Sequence, residues 1–257
     1  MINLLCNGNK VKFSTTMFPD GTSQVWKVEP NKIAEGDDVI IQWLFESEAE
    51  LFHVCQLTHL LYTHFDVSPD LSAPYLPYGR QDKDVGNESS FALIVAKDIL
   101  YHAGITRIET FDAHSKTEMI FETPNVSVQD FHRSILTHDV VCYPDKGAAI
   151  RYGSYGTPTI YCEKVRNQLT GEITGLKVIA DTELTGKSIL IVDDICDGGM
   201  TFIKVAEALK AYKAGPIDLA VSHGLFSKGK QVLYDAGIRE IFTTNSLLRN
   251  PEGFEVW

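Results

Sequence analysis

The chain has little that would tie it to an oxidising compartment, a membrane or a nucleic acid. Its five cysteines, Cys6, Cys55, Cys142, Cys162 and Cys196, are widely spaced and contain no C-x-x-C pair. That excludes a dense disulfide framework and a cysteine zinc site, and it makes a reducing, cytoplasmic setting the expected one. No window approaches the ~18 uninterrupted apolar residues of a membrane span. The opening Met1–Phe13 stretch lacks the basic, apolar and small-residue order of a signal peptide. Positive charge is scarce: 23 Lys and Arg stand against 34 Asp and Glu, a formal net charge of −11, which argues against non-specific nucleic-acid binding. The deficit is uneven, with 10 basic and 19 acidic residues in 1–133 and 13 and 15 in 134–257. A polyanionic small molecule would have to be held by local basic groups, metal ions or backbone N–H groups. Low-complexity tracts and long linkers are absent as well.

What is present is alternation. Short apolar runs at 38–43, 71–76, 106–111, 139–143, 157–162, 188–192, 217–221 and 239–243 read as strands. Between them 46–65, 88–103, 200–213 and 229–236 read as amphipathic helices, and in the third of these Phe202, Val205, Ala206 and Leu209 fall at helical spacing. Strands alternating with helices of this kind predict parallel sheets with crossover helices. Residues 1–30 differ, with short β-rich pieces and turns at Asn7-Gly8 and Asp20-Gly21. The motif of strand, acidic turn and helix occurs near 110 and again near 193, so the expected architecture is α/β in two halves, 1–135 and 136–257.

The segment richest in chemistry is Ser188–Thr201, SILIVDDICDGGMT. A buried apolar strand is expected to end in Asp193 and Asp194, followed by a glycine turn and a helix beginning near Thr201. A helix N-terminus offers backbone N–H groups, and here a hydroxyl, to a phosphate. The adjacent carboxylates can accept hydrogen bonds from sugar hydroxyls. One loop thus offers donors for a phosphate and acceptors for a ribose.

This segment resembles the signature of type I phosphoribosyltransferases and of ribose-phosphate pyrophosphokinases (PRPP synthetases), and the second family fits the rest of the chain far better. Pro77-Tyr-Gly-Arg-Gln-Asp-Lys83 is similar to that family's PYxRQD(K/R) segment. Thr110-Phe-Asp-Ala-His114 resembles its (V/M)DLH segment, Met119–Pro124 its GFFDxP stretch, Val141–Asp145 its V(S)PD and His223–Ser227 its THxxFS. The matches follow the family's order from about residue 13 to 246. The resemblance implies two phosphoribosyltransferase-like domains, each a mainly parallel sheet flanked by helices. It also implies transfer of the β,γ-diphosphate of ATP to the C1 hydroxyl of ribose 5-phosphate, with Mg²⁺ as cofactor and a homo-oligomer, dimer or higher, as the working form. It assigns ATP binding to Phe18, Asp20, Arg80, Gln81, Asp82 and His114. Asp112, His114 and Asp145 become metal-associated groups. Asp193, Asp194, Asp197, Gly198, Gly199, Met200 and Thr201 form the ribose-phosphate loop. Lys164 and Arg166 match a Lys-x-Arg pair that acts on the transferring diphosphate from a flexible loop. Residues two apart in an extended chain point the same way, so Asp112 and His114 are expected to face one phosphate-bound ion.

The chain departs from the family pattern in three places. Thr22 stands where the segment around Phe18 usually carries a glutamate. The phosphate loop reads Asp197-Gly-Gly-Met-Thr201 instead of Asp-Thr-(Gly/Cys)-Gly-Thr, which removes a hydroxyl at 198. The chain is also shortened between about 145 and 190, which puts the family's regulatory nucleotide site in doubt. The glycine at 198 raises an alternative acceptor, a ribose whose 5-phosphate is esterified, such as ADP-ribose. Two further classes compete: a phosphoribosyltransferase that consumes PRPP, and a non-catalytic homologue that regulates an active partner. The Arg80–Asp82 and Asp112-x-His114 segments oppose the first, and retention of Lys164, Arg166, His114 and Asp145 opposes the second.

Overall fold

In the computed structural model of the protein, residues 1–115, 120–122, 127–166, 173–248 and 254–256 are described, with the backbone alone at 121, 122, 164–166, 173 and 174. The chain divides into two compact units, Met1–Asn125 and Val126–Trp257.

The first unit carries β1 (Ile2–Cys6), β2 (Asn9–Val11), β3 (Ser14–Met17), β4 (Ser23–Trp26), β5 (Val39–Trp43), α1 (Ala49–Phe65), β6 (Asp70–Ser72), α2 (Ala92–Ala103), β7 (Ile108–Thr110) and β8 (Ile120–Glu122). Its main sheet has the order β2-β1-β5-β6-β7-β8. β5 to β8 run parallel, and β1 joins β5 antiparallel. The apolar core of this unit runs from Leu4 and Ile41 through Val54, Leu57 and Leu61 of α1 to Leu71, Leu100 and Ile108. Trp43 is buried there, and its indole N–H donates to Glu50 Oε2 at 3.0 Å. β3 and β4 form a separate hairpin fastened to α1, where Gln56 accepts from the Val25 N–H (2.9 Å) and donates to the Ser23 carbonyl (3.0 Å). The strand expected at 71–76 stops at Ser72. Beyond it Pro74 and Pro77 lack the N–H a ladder needs, and the chain leaves the sheet as a loop that carries the Pro77–Lys83 segment.

The second unit carries α3 (Val128–Ile135), β9 (Val140–Tyr143), α4 (Lys146–Tyr152), β10 (Thr159–Arg166), β11 (Ile173–Ile179), β12 (Ile189–Cys196), α5 (Met200–Ala211), β13 (Ile217–Gly224), α6 (Gln231–Asp235), β14 (Ile238–Thr243) and β15 (Glu255–Val256). The sheet order is β11-β10-β9-β12-β13-β14-β15, parallel throughout except for the β10–β11 pair. β13 is buried along all eight residues, as a central strand covered on both faces should be. α5 lays Phe202, Val205, Ala206 and Leu209 into the core, the face its spacing predicted.

Three differences from the sequence expectation have local causes. α3, unforeseen, starts at a capping box in which Ser127 and Asp130 exchange side-chain and backbone hydrogen bonds. It is tied to the second unit by His132 Nδ1, 2.6 Å from the Tyr155 hydroxyl, so the break falls after Asn125, ten residues before the expected division at 135/136. α4, also unforeseen, is capped by Asp145. β10 runs on past 162 because β11, a third unforeseen element, pairs with it as far as Arg166.

Candidate functional site

In the second unit the chemistry gathers where β12 meets α5. β12 does not end at the two aspartates as expected but continues to Cys196. Its neighbour β13 stays in register with it up to Cys196↔Gly224. Asp193 and Asp194 are therefore held on strand backbone. Asp194 is buried, Asp193 half-buried, and the Asp194 N–H donates to Asp193 Oδ1 at 3.0 Å. Burial pushes the Asp193 carboxyl well above the ordinary carboxylate range, and the charges of Asp194 and Asp145 push it further. Asp145 thus lies within electrostatic reach of this pair. Its Oδ1 accepts from the Ala148 N–H at 3.0 Å as the cap of α4, and the side chain is otherwise exposed. Arg151 Nη1 stands 3.8 Å from Asp194 Oδ2 and brings a cation to this carboxylate cluster.

The loop itself is tightly specified. Gly199 is the N-cap of α5 with φ +77°, a conformation L side chains rarely adopt. A Cβ there would also stand 2.9 Å from Leu233 Cδ2. Lacking a side chain, Gly199 leaves the first turn of α5 without a side-chain cap, and Met200 (54% exposed) and Thr201 stand at the surface. A helix start of this kind presents N–H groups and partial positive charge outward. Asp197 accepts from the Ser227 hydroxyl at 2.5 Å, which ties the loop to the His223–Ser227 segment. That segment is fastened in turn. The Leu225 and Phe226 N–H groups donate to the Cys196 carbonyl at 2.9 and 3.2 Å, and His223 Nδ1 lies 2.8 Å from Ser246 Oγ.

Lys164 and Arg166 sit on β10 backbone paired with β11, not on a free loop. Their side chains lie outside the described residues, as do Met119, Thr123 and Pro124 of the third matched segment.

In the first unit the Pro77–Lys83 loop and the 110–115 segment are joined. The Phe111 N–H and the Thr110 hydroxyl donate to the Pro74 carbonyl at 3.0 and 3.3 Å. Ser115 donates to Asp82, and a Cβ on Gly79 would lie 3.8 Å from His114 Cβ. Arg80, Gln81, Asp82 and His114 are thereby brought to one place on the unit, with Arg80 and His114 exposed. The expectation for Asp112 needs correction. It has φ +49° and is 2% exposed, whereas His114 is exposed, so the two do not alternate along an extended chain. Phe18 and Asp20 lie elsewhere, at the tip of the β3–β4 hairpin. There Phe18 is 39% exposed, and Asp20 accepts from the Thr22 hydroxyl (2.7 Å) and N–H (2.9 Å). These bonds hold the Asp20 carboxyl below its usual range, the hydroxyl first.

Sequence reasoning missed the capping role of Asp145, the Asp82–Ser115 link and the approach of Lys228, whose Cδ and Cε would lie 3.6 Å from a Cβ on Gly198. The first had a signal, since Asp145 stands three residues before Ala148 at a helix start. The other two join residues about thirty apart and had none.

Residues 157–255 match the phosphoribosyl transferase domain model. Curated relatives extend the match to nearly the whole chain. A ribose-phosphate pyrophosphokinase of Sulfolobus acidocaldarius is 27% identical over 92% of this chain and 85% of its own length. One of Pyrococcus abyssi is 29% identical over 94% and 86%. Over nearly its whole length the chain is thus similar to ribose-phosphate pyrophosphokinases. The fold agrees: the solved phosphoribosylpyrophosphate synthetase of Mycobacterium smegmatis superposes with a TM-score of 0.78 at 21% identity, covering 96% of this chain and 86% of that one.

Proposed function

We propose that the protein transfers the β,γ-diphosphate of ATP to the C1 hydroxyl of ribose 5-phosphate, yielding PRPP and AMP. The C1 oxygen attacks the β-phosphorus, the bond to the oxygen bridging the α- and β-phosphates breaks, AMP leaves, and the C1 hydroxyl gives up its proton. The observation that carries this reading is the presence in one chain of two separate constellations. One is the Asp193–Thr201 loop, with paired carboxylates ahead of an uncapped helix start. The other is the Arg80, Gln81, Asp82 and His114 group held together by the Asp82–Ser115 link. A phosphoribosyltransferase that only consumes PRPP needs the first and has no use for the second.

On this reading Asp193 and Asp194 accept hydrogen bonds from the ribose hydroxyls, and the backbone from Asp197 to Thr201 holds the 5-phosphate. Arg80 grips nucleotide phosphate with a fork of donors, and Gln81 serves adenine or phosphate. Phe18, from a hairpin separate from the main sheet, packs on adenine across a subunit contact, so that a dimer or larger assembly completes the site. Asp145 suits magnesium because its exposed carboxylate is a hard oxygen donor beside the Asp193–Asp194 charges. His114, beside Gly79, is the candidate ligand of the first unit. Bound magnesium would neutralise oxygens of the diphosphate. Lys164 and Arg166 are assigned to charge on the transferring group. Retention of these groups favours an enzyme over a regulatory homologue.

An esterified acceptor such as ADP-ribose is the second reading, motivated by Gly198 and the exposed Met200. The test is chromatographic product analysis with ATP, Mg²⁺ and each sugar. AMP formed only with an acceptor supports diphosphate transfer. ADP would mean a simple kinase, and no nucleotide turnover would favour the regulator.

A further inference from the structure

We propose that Lys228 selects the acceptor, its ammonium replacing the phosphate donor that the loop lacks at Gly198. The inference rests on the reading that this loop holds a ribose phosphate. A Cβ built on Gly198 would stand 3.6 Å from Lys228 Cδ and Cε and 3.7 Å from Cγ. Three consecutive carbons of the lysine stem therefore run beside the position that a hydroxyl-bearing residue would occupy. The space that glycine leaves is lined by methylenes leading to a cation.

The backbone on both sides of Lys228 is fixed. Leu225 and Phe226 donate to the Cys196 carbonyl, Ser227 donates to Asp197, and the Gly229 N–H donates to the Phe226 carbonyl at 2.7 Å. Phe226 is buried at φ +47°, and its ring lies 2.1 Å from where a Cβ on Gly224 would be, so only glycine at 224 admits this turn. What remains adjustable is the lysine side chain. It is exposed, and no carboxylate pairs with it among the described residues. An ammonium with no internal partner, carried on a stem packed against an uncapped helix start, is placed to receive an anion.

A hydroxyl at 198 would give one hydrogen bond from a neutral donor, whereas the ammonium gives one from a charged donor and adds ion-pair attraction. A terminal phosphate monoester, with close to two negative charges, gains most from that exchange. A phosphodiester carries one charge and must also pass the lysine stem. The selected class is therefore a ribose 5-phosphomonoester, which decides between the two acceptors above in favour of ribose 5-phosphate.

The test is calorimetric titration of the full chain with ribose 5-phosphate and with ADP-ribose. Wild type is compared with Lys228→Met, which keeps the stem, with Lys228→Gln, and with Lys228→Arg. Loss of one charge-assisted bond predicts about 10-fold or greater weakening for ribose 5-phosphate in the Met and Gln variants. ADP-ribose should lose about 3-fold or less, and Arg should hold ribose 5-phosphate to within about 3-fold of wild type. Unchanged ribose 5-phosphate affinity in Lys228→Met and Lys228→Gln overturns the role of Lys228 and leaves the loop assignment standing. Equal losses for both ligands overturn the selection. Failure of wild type to bind ribose 5-phosphate overturns the loop assignment, and this inference with it.

Discussion

Asp193→Asn should make the protein more stable and less able to hold its acceptor. The stability gain comes from charge. Burial, then Asp194, then Asp145 push the Asp193 carboxyl above its ordinary range, so the folded state opposes an ionisation that the unfolded chain allows freely. Like unit charges a few ångströms apart repel by roughly 3–4 kcal/mol at an effective ε near 20. Arg151, 3.8 Å from Asp194, offsets part of this, leaving about 1–2 kcal/mol to be recovered, within the range common for stabilising substitutions at functional sites. In a unit the size of Val126–Trp257 that is a rise in Tm of about 3–8 °C. The sign with pH follows. Because the folded pKa is raised, the penalty is absent below the unfolded value of 3.8, grows as pH rises through the folded value, and is then constant. The advantage of the variant should therefore shrink as pH falls towards 4. Asn keeps the acceptor for the Asp194 N–H, bonded at 3.0 Å, but replaces the other oxygen with a donor. Acceptor affinity by calorimetry should drop by about 10-fold or more, with ATP affinity retained. A variant less stable than wild type at pH 7, or one with unchanged acceptor affinity, would refute the reasoning.

Other outcomes follow from groups away from this pair. Asp218, buried on β13, accepts from Arg239 Nε (3.0 Å) and the Glu240 N–H (3.0 Å) and lies 2.7 Å from His138 Nε2. Asp218→Ala should cost about 3 kcal/mol in urea unfolding, since it strands the buried His138 imidazole. Burial by itself would raise the Asp218 carboxyl, but its bonds to His138 and Arg239 hold it below the ordinary value of 3.8. That stabilisation should be present above pH 3.8 and disappear as pH falls through the lowered value, a loss that acid titration of Asp218→Asn would lack. Lys164→Ala and Arg166→Ala should each lower turnover by ~10²–10³ while ATP binding changes little, measured as kcat against nucleotide Kd. Unchanged turnover in both would remove them from the reaction.

Much of the fold was legible because period and burial agree. The apolar runs Ile189–Val192 of β12 and Leu219–Val221 of β13 read as parallel central strands do, and the four core residues of α5 fall on one helical face. What escaped was short or non-local. α3 and α4 have eight and seven residues, too few for a periodic signal, and owe their starts to Ser127 and Asp145. β11 is a strand only because β10 offers it an edge. Within the candidate site, the phosphate loop could be found from its own letters, since its glycines and carboxylates act locally. The approach of Lys228 to Gly198 and the burial of Asp112 at positive φ depend on how distant segments pack, and no local pattern encodes them.

Diphosphate transfer to ribose 5-phosphate is tested most directly by a ³¹P-NMR time course of the full chain with ATP, Mg²⁺ and ribose 5-phosphate, run beside an identical sample containing ADP-ribose. Stoichiometric AMP and a new diphosphate attached to the sugar at C1 are expected in the first sample, with far slower change in the second. Appearance of ADP in place of AMP, or no reaction with ribose 5-phosphate, would contradict it.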